Sequence, residues 1–273
     1  MNRNMIWTIA KKDMRAVFRS GKVWIGLVLL PLIMGVVIPG VAVAVLRFSS
    51  LGSADIQELL GLLDAIPALQ DSNLYPTDNH KLVYLFVNYL LGPLFLLIPV
   101  TNAMMIAVNS FVGEKERRTL ESLLLAPIEV RDLFAGKLLA SFIPSFAATV
   151  VSFVLCGIVV DSLAYGLFGG LIFPTWTWVV MLLWVTPAFT LLAILFSVFV
   201  SARSKGFQEA QQVAGVVVLP IVGLMISQAT GLLILSAPVL LIIGAVLLLV
   251  DLVLLRFIAG MNRRDVLFER QVH

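Results

Sequence analysis

Charged residues are scarce in this sequence. Asp, Glu, Lys and Arg make up 13% of its 273 residues, where a soluble domain carries about 25%. Mean hydropathy is +1.03 and 60% of the residues are hydrophobic. A water-soluble core under a hydrated surface is thereby excluded. Cysteine is scarcer still. Cys156 lies inside an apolar run with no second cysteine, so neither an intrachain disulfide nor a cysteine metal cluster can form. His80 and His273 are the only histidines and lie far apart, which argues against a histidine metal site. The net charge of +3 does not point to nucleic acid, because the basic residues sit in short loops and report membrane topology instead. Catalytic signatures are missing too. Gly21-Lys22 is followed by Val23, and Gly136-Lys137 by Leu138. Neither has the upstream glycine or the hydroxyl residue of a phosphate-cradling loop. There is no G-x-S-x-G or H-E-x-x-H, and no intramembrane serine has a histidine to activate it. The chain is therefore not expected to be an enzyme. It should carry no catalytic residue, no metal and no cofactor of its own.

Long hydrophobic runs are abundant. Each needs about 20 residues to cross a bilayer, and six qualify, at 23–46, 82–112, 138–160, 175–200, 213–235 and 239–258. The expected fold is all-α: a single polytopic membrane domain with six transmembrane helices. Residues 4–20 precede the first span as an amphipathic helix. Ile6, Ala10, Met14, Val17 and Phe18 form its apolar stripe, and Lys11, Lys12, Arg15 and Arg19 oppose them. Such a helix lies in the membrane surface. The alternative is a solvated basic tail. A small-residue Ala-Val-Ala near the end of the first run resembles a signal cleavage site, but the run is too long for one.

Residues 47–81 hold five acids and only Arg47 and Lys81 as bases, and so read as an external loop. The glycine-rich segment 161–174 lacks Lys and Arg and reads the same way. Trp176, Trp178 and Trp184 would form an outer aromatic belt. Residues 201–212 are a second internal loop marked by Arg203 and Lys205, with Phe207 opening a short interfacial helix. The tail 259–273 carries Arg263, Arg264 and Arg270. With both termini cytoplasmic, only Arg47 and Lys81 among the 19 Lys and Arg residues fall outside. That asymmetry sets the orientation.

Polar groups inside the spans are few. Asn88, Asn102 and Asn109 lie in the second run, and buried amides in lipid need partners. Interhelical hydrogen bonds are the first explanation and a substrate path the second. Asp251 is the one carboxylate well inside a span. An ionisable group there is a functional candidate by default; an ion pair or snorkelling near the cytoplasmic end, with Arg256 nearby, is the plainer reading.

The stretch 113–137, GEKERRTLESLLLAPIEVRDLFAGK, is the one long charged segment, with ten charged residues. Glu114, Glu116 and Glu121 lead into Leu120, Leu123 and Leu124, an i, i+3, i+4 stripe on a short helix, and Pro127 ends it. Two readings fit: an ordinary interfacial loop helix, or a bump shaped for a groove on a soluble partner.

Residues 114–127, EKERRTLESLLLAP, followed by Gly136-Lys137, resemble the first cytoplasmic loop of the ABC-2 type permeases. These are the membrane subunits of ATP-binding-cassette exporters. The likeness rests on Thr119, Leu120, Glu121, Leu123, Leu124, Pro127, Gly136 and Lys137, with Arg118 where many members have glycine. The six spans and the amphipathic start extend it along nearly the whole chain. The loop at 201–212 is similar to that of the branch containing NatB-type sodium-efflux permeases, although that branch often has a larger external domain.

The resemblance implies a multi-pass protein of the inner (plasma) membrane, with membrane lipid and a separate ABC ATPase subunit as partners. That ATPase would bind ATP and Mg. The helix at 113–128 would be the coupling helix, with Glu114, Glu116, Arg117 and Arg118 in polar contact with the ATPase and the leucines packed on it. It also implies a second permease copy, as a homodimer or with a paralogous permease. Efflux of an amphiphilic, drug-like, peptide, lipid or ion substrate would follow. An ATP-independent secondary transporter or channel is the competing class. It would want several intramembrane charges or paired interrupted helices.

Overall fold

The structure, a computed structural model, describes residues 3–48, 75–116, 130–204 and 206–261. The described residues are helical, with no strand among them. Helix α1 spans Arg3–Arg19. Six longer apolar helices follow, each long enough to cross a membrane: α2 (Val23–Arg47), α3 (Asp78–Gly113), α4 (Arg131–Phe168), α5 (Trp176–Arg203), α6 (Phe207–Ala229) and α7 (Ala237–Ile258). The architecture is an all-α polytopic membrane protein.

Helices α3 and α5 form the centre and pack extensively on each other. Helix α4 lies against both, and carries α1 and α2 on its far side. Helices α6 and α7 pack on the opposite side, α6 on α3 and α5, and α7 chiefly on α5. Near the α4–α5 connection the core is aromatic. Phe95, Phe153 and Phe173 surround the fully buried Trp178, whose indole N–H donates to the Val87 carbonyl at 3.1 Å. Trp178 is thus a core residue rather than part of an aromatic belt. An indole with a carbonyl to bond is stable inside, whereas its neighbours Trp176 and Trp184 stay exposed.

Small polar residues let the helices approach. Ser141, Ser145 and Thr149 of α4 are buried, and each hydroxyl donates to the carbonyl four residues back, which satisfies it without water. Ser152 donates instead across the interface to the Pro31 carbonyl at 2.9 Å, opposite Gly35. Proline positions match changes of helical form. Helix α2 passes through a π segment at Ile33–Val37 just after Pro31. In α3, a π segment at Phe86–Leu90 precedes Gly92-Pro93. In α5, a π segment at Met181–Val185 precedes Pro187.

Several boundaries differ from those the hydrophobic runs suggest. Helix α4 continues past Val160 to Phe168, where Gly169 at φ 65° ends it and donates its amide to the Tyr165 carbonyl. Asp161 stays within the helix, and its Oδ1 accepts the amides of Ile172 and Phe173 at 3.0 and 3.1 Å. Helix α6 starts at Phe207 and stops at Ala229. Residues 230–236 form a non-helical connection turned by Gly231 at φ 72°. In α1 the buried residues are Ile6, Ile9, Ala10, Asp13 and Val17, so the stripe is rotated from its expected place. Phe18 is 55% exposed, while the carboxylate of Asp13 has gone inside.

Candidate functional site

The charge inside α1 leads to the most developed polar constellation among the described residues. Asp13 is 6% exposed and Lys137, near the start of α4, is 1% exposed. The Lys137 ammonium uses all three of its donors. It reaches Asp13 Oδ2 at 3.3 Å, the Ser110 carbonyl at 2.9 Å and Ser110 Oγ at 3.0 Å. Ser110 Oγ in turn donates to Asp13 Oδ2 at 3.0 Å. The ring of Phe111 lies 5.2 Å from Nζ and adds a cation–π contact. A buried ion pair is tolerable only when such extra bonds satisfy both charges.

The residue before the lysine makes this packing feasible. A Cβ at Gly136 would fall 2.8 Å from the Ile9 side chain and 3.0 Å from the Ile6 carbonyl oxygen. Glycine therefore admits α1, and lysine then anchors it. The geometry gives the Gly136-Lys137 pair a structural meaning. One cluster ties α1 to the last turns of α3 and to the first turns of α4. Those are the two arms between which the charged segment is strung.

Glu114 and Glu116 lie on the last turn of the helix that ends at Glu116. Arg117, Arg118, Thr119, Leu120, Glu121, Leu123, Leu124 and Pro127 lie outside the described residues, and so does Lys205. Phe207 opens α6 and packs beside Met104, Val108, Val112 and Val200, fixing the base of α6 against α3 and α5. Arg203 stacks over the Phe199 ring, 4.3 Å from its centroid.

The spans hold the remaining polar candidates, and the structure does not bring them together. Asn109 is half-buried beside α1, at the edge of an open groove. Asn102 is buried in α3 with Nδ2 unpartnered. Asn88 donates to the Tyr84 carbonyl of its own helix at 3.4 Å and leaves Oδ1 unpartnered. The interhelical bonds expected of Asn88 and Asn102 are therefore not made. Gln228, at the end of α6, is 6% exposed with both amide atoms unpartnered. It shares with Asn88 a small, partly open pocket of about 10 Å³, the least that holds a water.

Asp251 faces inward on α7, in one stripe with Leu240, Leu247 and Ile258, and is 2% exposed. Neither carboxylate oxygen has a partner. The expected ion pair with Arg256 does not form. Five residues along a helix turn that arginine about 140° away, and it is exposed. Sequence reasoning also missed Asp13 and Ser110, and it read Gln228 only as a weak point at the outer end of the fifth run. The signal for Asp13 was present: an acid at a buried position of an amphipathic stripe must meet a cation.

Comparison with known proteins adds one match. No curated protein and no solved structure matches the chain. The family model for ABC-2 family transporter proteins matches residues 7–263, from the first turns of α1 to beyond α7. Proteins of this family are membrane transport components that work with an ABC ATPase subunit. With six apolar helices and nearly its whole length matched, the chain belongs to the ABC-2 transporter family, as a multi-pass permease component of an ABC-type transporter.

Proposed function

We propose that this permease couples ATP hydrolysis by a separate ATPase subunit to efflux across the inner (plasma) membrane. The ATPase binds ATP and Mg, and the helix at 113–128 seats in a groove on it. Both termini and the 201–212 loop face the same cytoplasmic side. Two permease copies, identical or paralogous, enclose the path. The cargo is amphiphilic rather than a hydrated ion, in keeping with apolar spans that hold scattered amides. The NatB-like resemblance rests on the loop at 201–212 alone and supports a branch, not a cargo.

One observation carries this reading. The Asp13–Ser110–Lys137 cluster joins the two arms flanking the coupling segment and pins both to α1. A push on that segment would then move α1, α3 and α4 as one body rather than bend a loop.

The test is reconstitution of the permease with its cognate ATPase, reading efflux of a panel of fluorescent amphiphiles beside ATP turnover. Leu124→Asp and Glu121→Lys are expected to cut efflux about tenfold or more, the loss of roughly 1.4 kcal/mol of coupling contact. ATP turnover is expected to persist. Efflux by the permease without any ATPase would overturn the reading, as would both variants exporting normally.

A further inference from the structure

Helix α1 turns its only carboxylate inward to Lys137, and this leaves a cationic outer face. That face and the end of α3 border an open groove of about 900 Å³. Its lining includes Lys11, Lys12, Arg15, Arg19, Trp7 and Asn109, and no acidic residue. Lys12 leans toward Asp13 at 3.4 Å. Among the described residues, Lys11, Arg15 and Arg19 make no ion pair. Three cations held on one side of a helix repel one another unless an anion lies between them.

The surroundings specify which anion. Trp7 is 53% exposed beside the groove, where an indole marks the headgroup level of a bilayer. At Ser20–Gly21 α1 gives way to the first span, whose exposed face begins with Trp24, Ile25, Leu29 and Leu32. The charged groove is lined as far as Ser20, where the apolar span begins. A ligand that fills both has an anionic head and hydrocarbon tails.

We infer that this groove binds the headgroup of an anionic phospholipid in the leaflet on the ATPase side. The phosphate sits among Lys11, Arg15 and Arg19, the Asn109 amide borders the headgroup, and the acyl chains lie along Ile25 and Leu29. Basic pockets at the ends of spans on the cytoplasmic side suit such headgroups. Because the opposite face of α1 holds Lys137, the bound lipid braces the same helix that ties the two arms together. The inference rests on the proposed orientation and ATPase partnership for the leaflet and for the effect on coupling, but not for the binding itself.

The permease–ATPase complex is incorporated in nanodiscs of phosphatidylcholine mixed with phosphatidylglycerol, re-extracted in mild detergent, and its retained lipid quantified by mass spectrometry. Phosphatidylglycerol is expected on the order of tenfold above its share of the bilayer. The exposed triple substitution Lys11→Gln/Arg15→Gln/Arg19→Gln should abolish that enrichment while the complex keeps its elution volume. Arg3→Gln/Arg131→Gln removes cations outside the groove and should retain it. Equal enrichment in the triple variant overturns the inference. Loss in both variants overturns it too, since bulk surface charge would then be the cause. The Leu124→Asp variant should bind lipid normally, so a failure of ATPase coupling and a failure of the lipid site give different results.

Discussion

Asp251 has two carboxylate oxygens and a partner for neither. A buried polar group without a hydrogen bond is destabilising by about 1–3 kcal/mol. An apolar group at the same place removes that penalty, so Asp251→Leu is expected to raise the Tm of the purified permease. If export falls in the same variant, the carboxyl is kept for transport. A lower Tm would mean that an ion or another chain satisfies it in the membrane. The residue was visible in the sequence as an acid in an apolar run. Its pairing was not, because nearness to Arg256 along the chain ignores the turn of the helix. Asp13 presents the opposite case. Which cation it meets was hidden because Lys137 lies 124 residues away, and only the fold brings them into contact. The unpartnered amides of Asn88 and Gln228 were hidden for the same reason, since they come from different helices and meet at one cavity.

Helices α1, α3 and α4 meet at a single cluster, and its worth is a property of all three. Lys137→Met leaves the buried Asp13 carboxylate with only the exposed Lys12 as a cation beside it, at a cost of up to about 3–5 kcal/mol. Adding Asp13→Leu removes the second charge and should restore much of that loss. Thermal unfolding of the two variants checks the ordering: the double variant should melt above the single one. Should stability return while ATP-driven efflux does not, the ion pair serves coupling beyond holding the helices together. Equal melting of the two would mean that the charges do not interact. At this scale the sequence was a good guide to which segments form long apolar helices, because each apolar run is longer than a core helix requires. It was a poor guide to where helices end. Gly169 and Gly231 set two of those ends through local bonding and backbone turn, which hydropathy does not register. The rotated face of α1 was illegible for a similar reason, since periodicity fixes a stripe only to within a residue or so and Lys137 chose the register.

Orientation is a property of the whole molecule, and every assignment of the 113–128 segment to an ATPase depends on it. The distribution of Lys and Arg argues for the proposed one: with both termini inside, only Arg47 and Lys81 of the 19 would fall on the external side. The fold offers a direct check. Leu232, in the connection between α6 and α7, is exposed, and Gln208, on the first turn of α6, is exposed at the other end of the same helix. The 23 residues of α6 separate those ends by about 35 Å, enough to span the hydrocarbon core. The single native cysteine, Cys156, is buried, so its background labelling should be low. A membrane-impermeant maleimide is therefore expected to label Leu232→Cys in intact cells, and Gln208→Cys only after permeabilisation. The reverse pattern would put the charged segment outside the cell, beyond the reach of any ATPase, and the permease would need another source of drive.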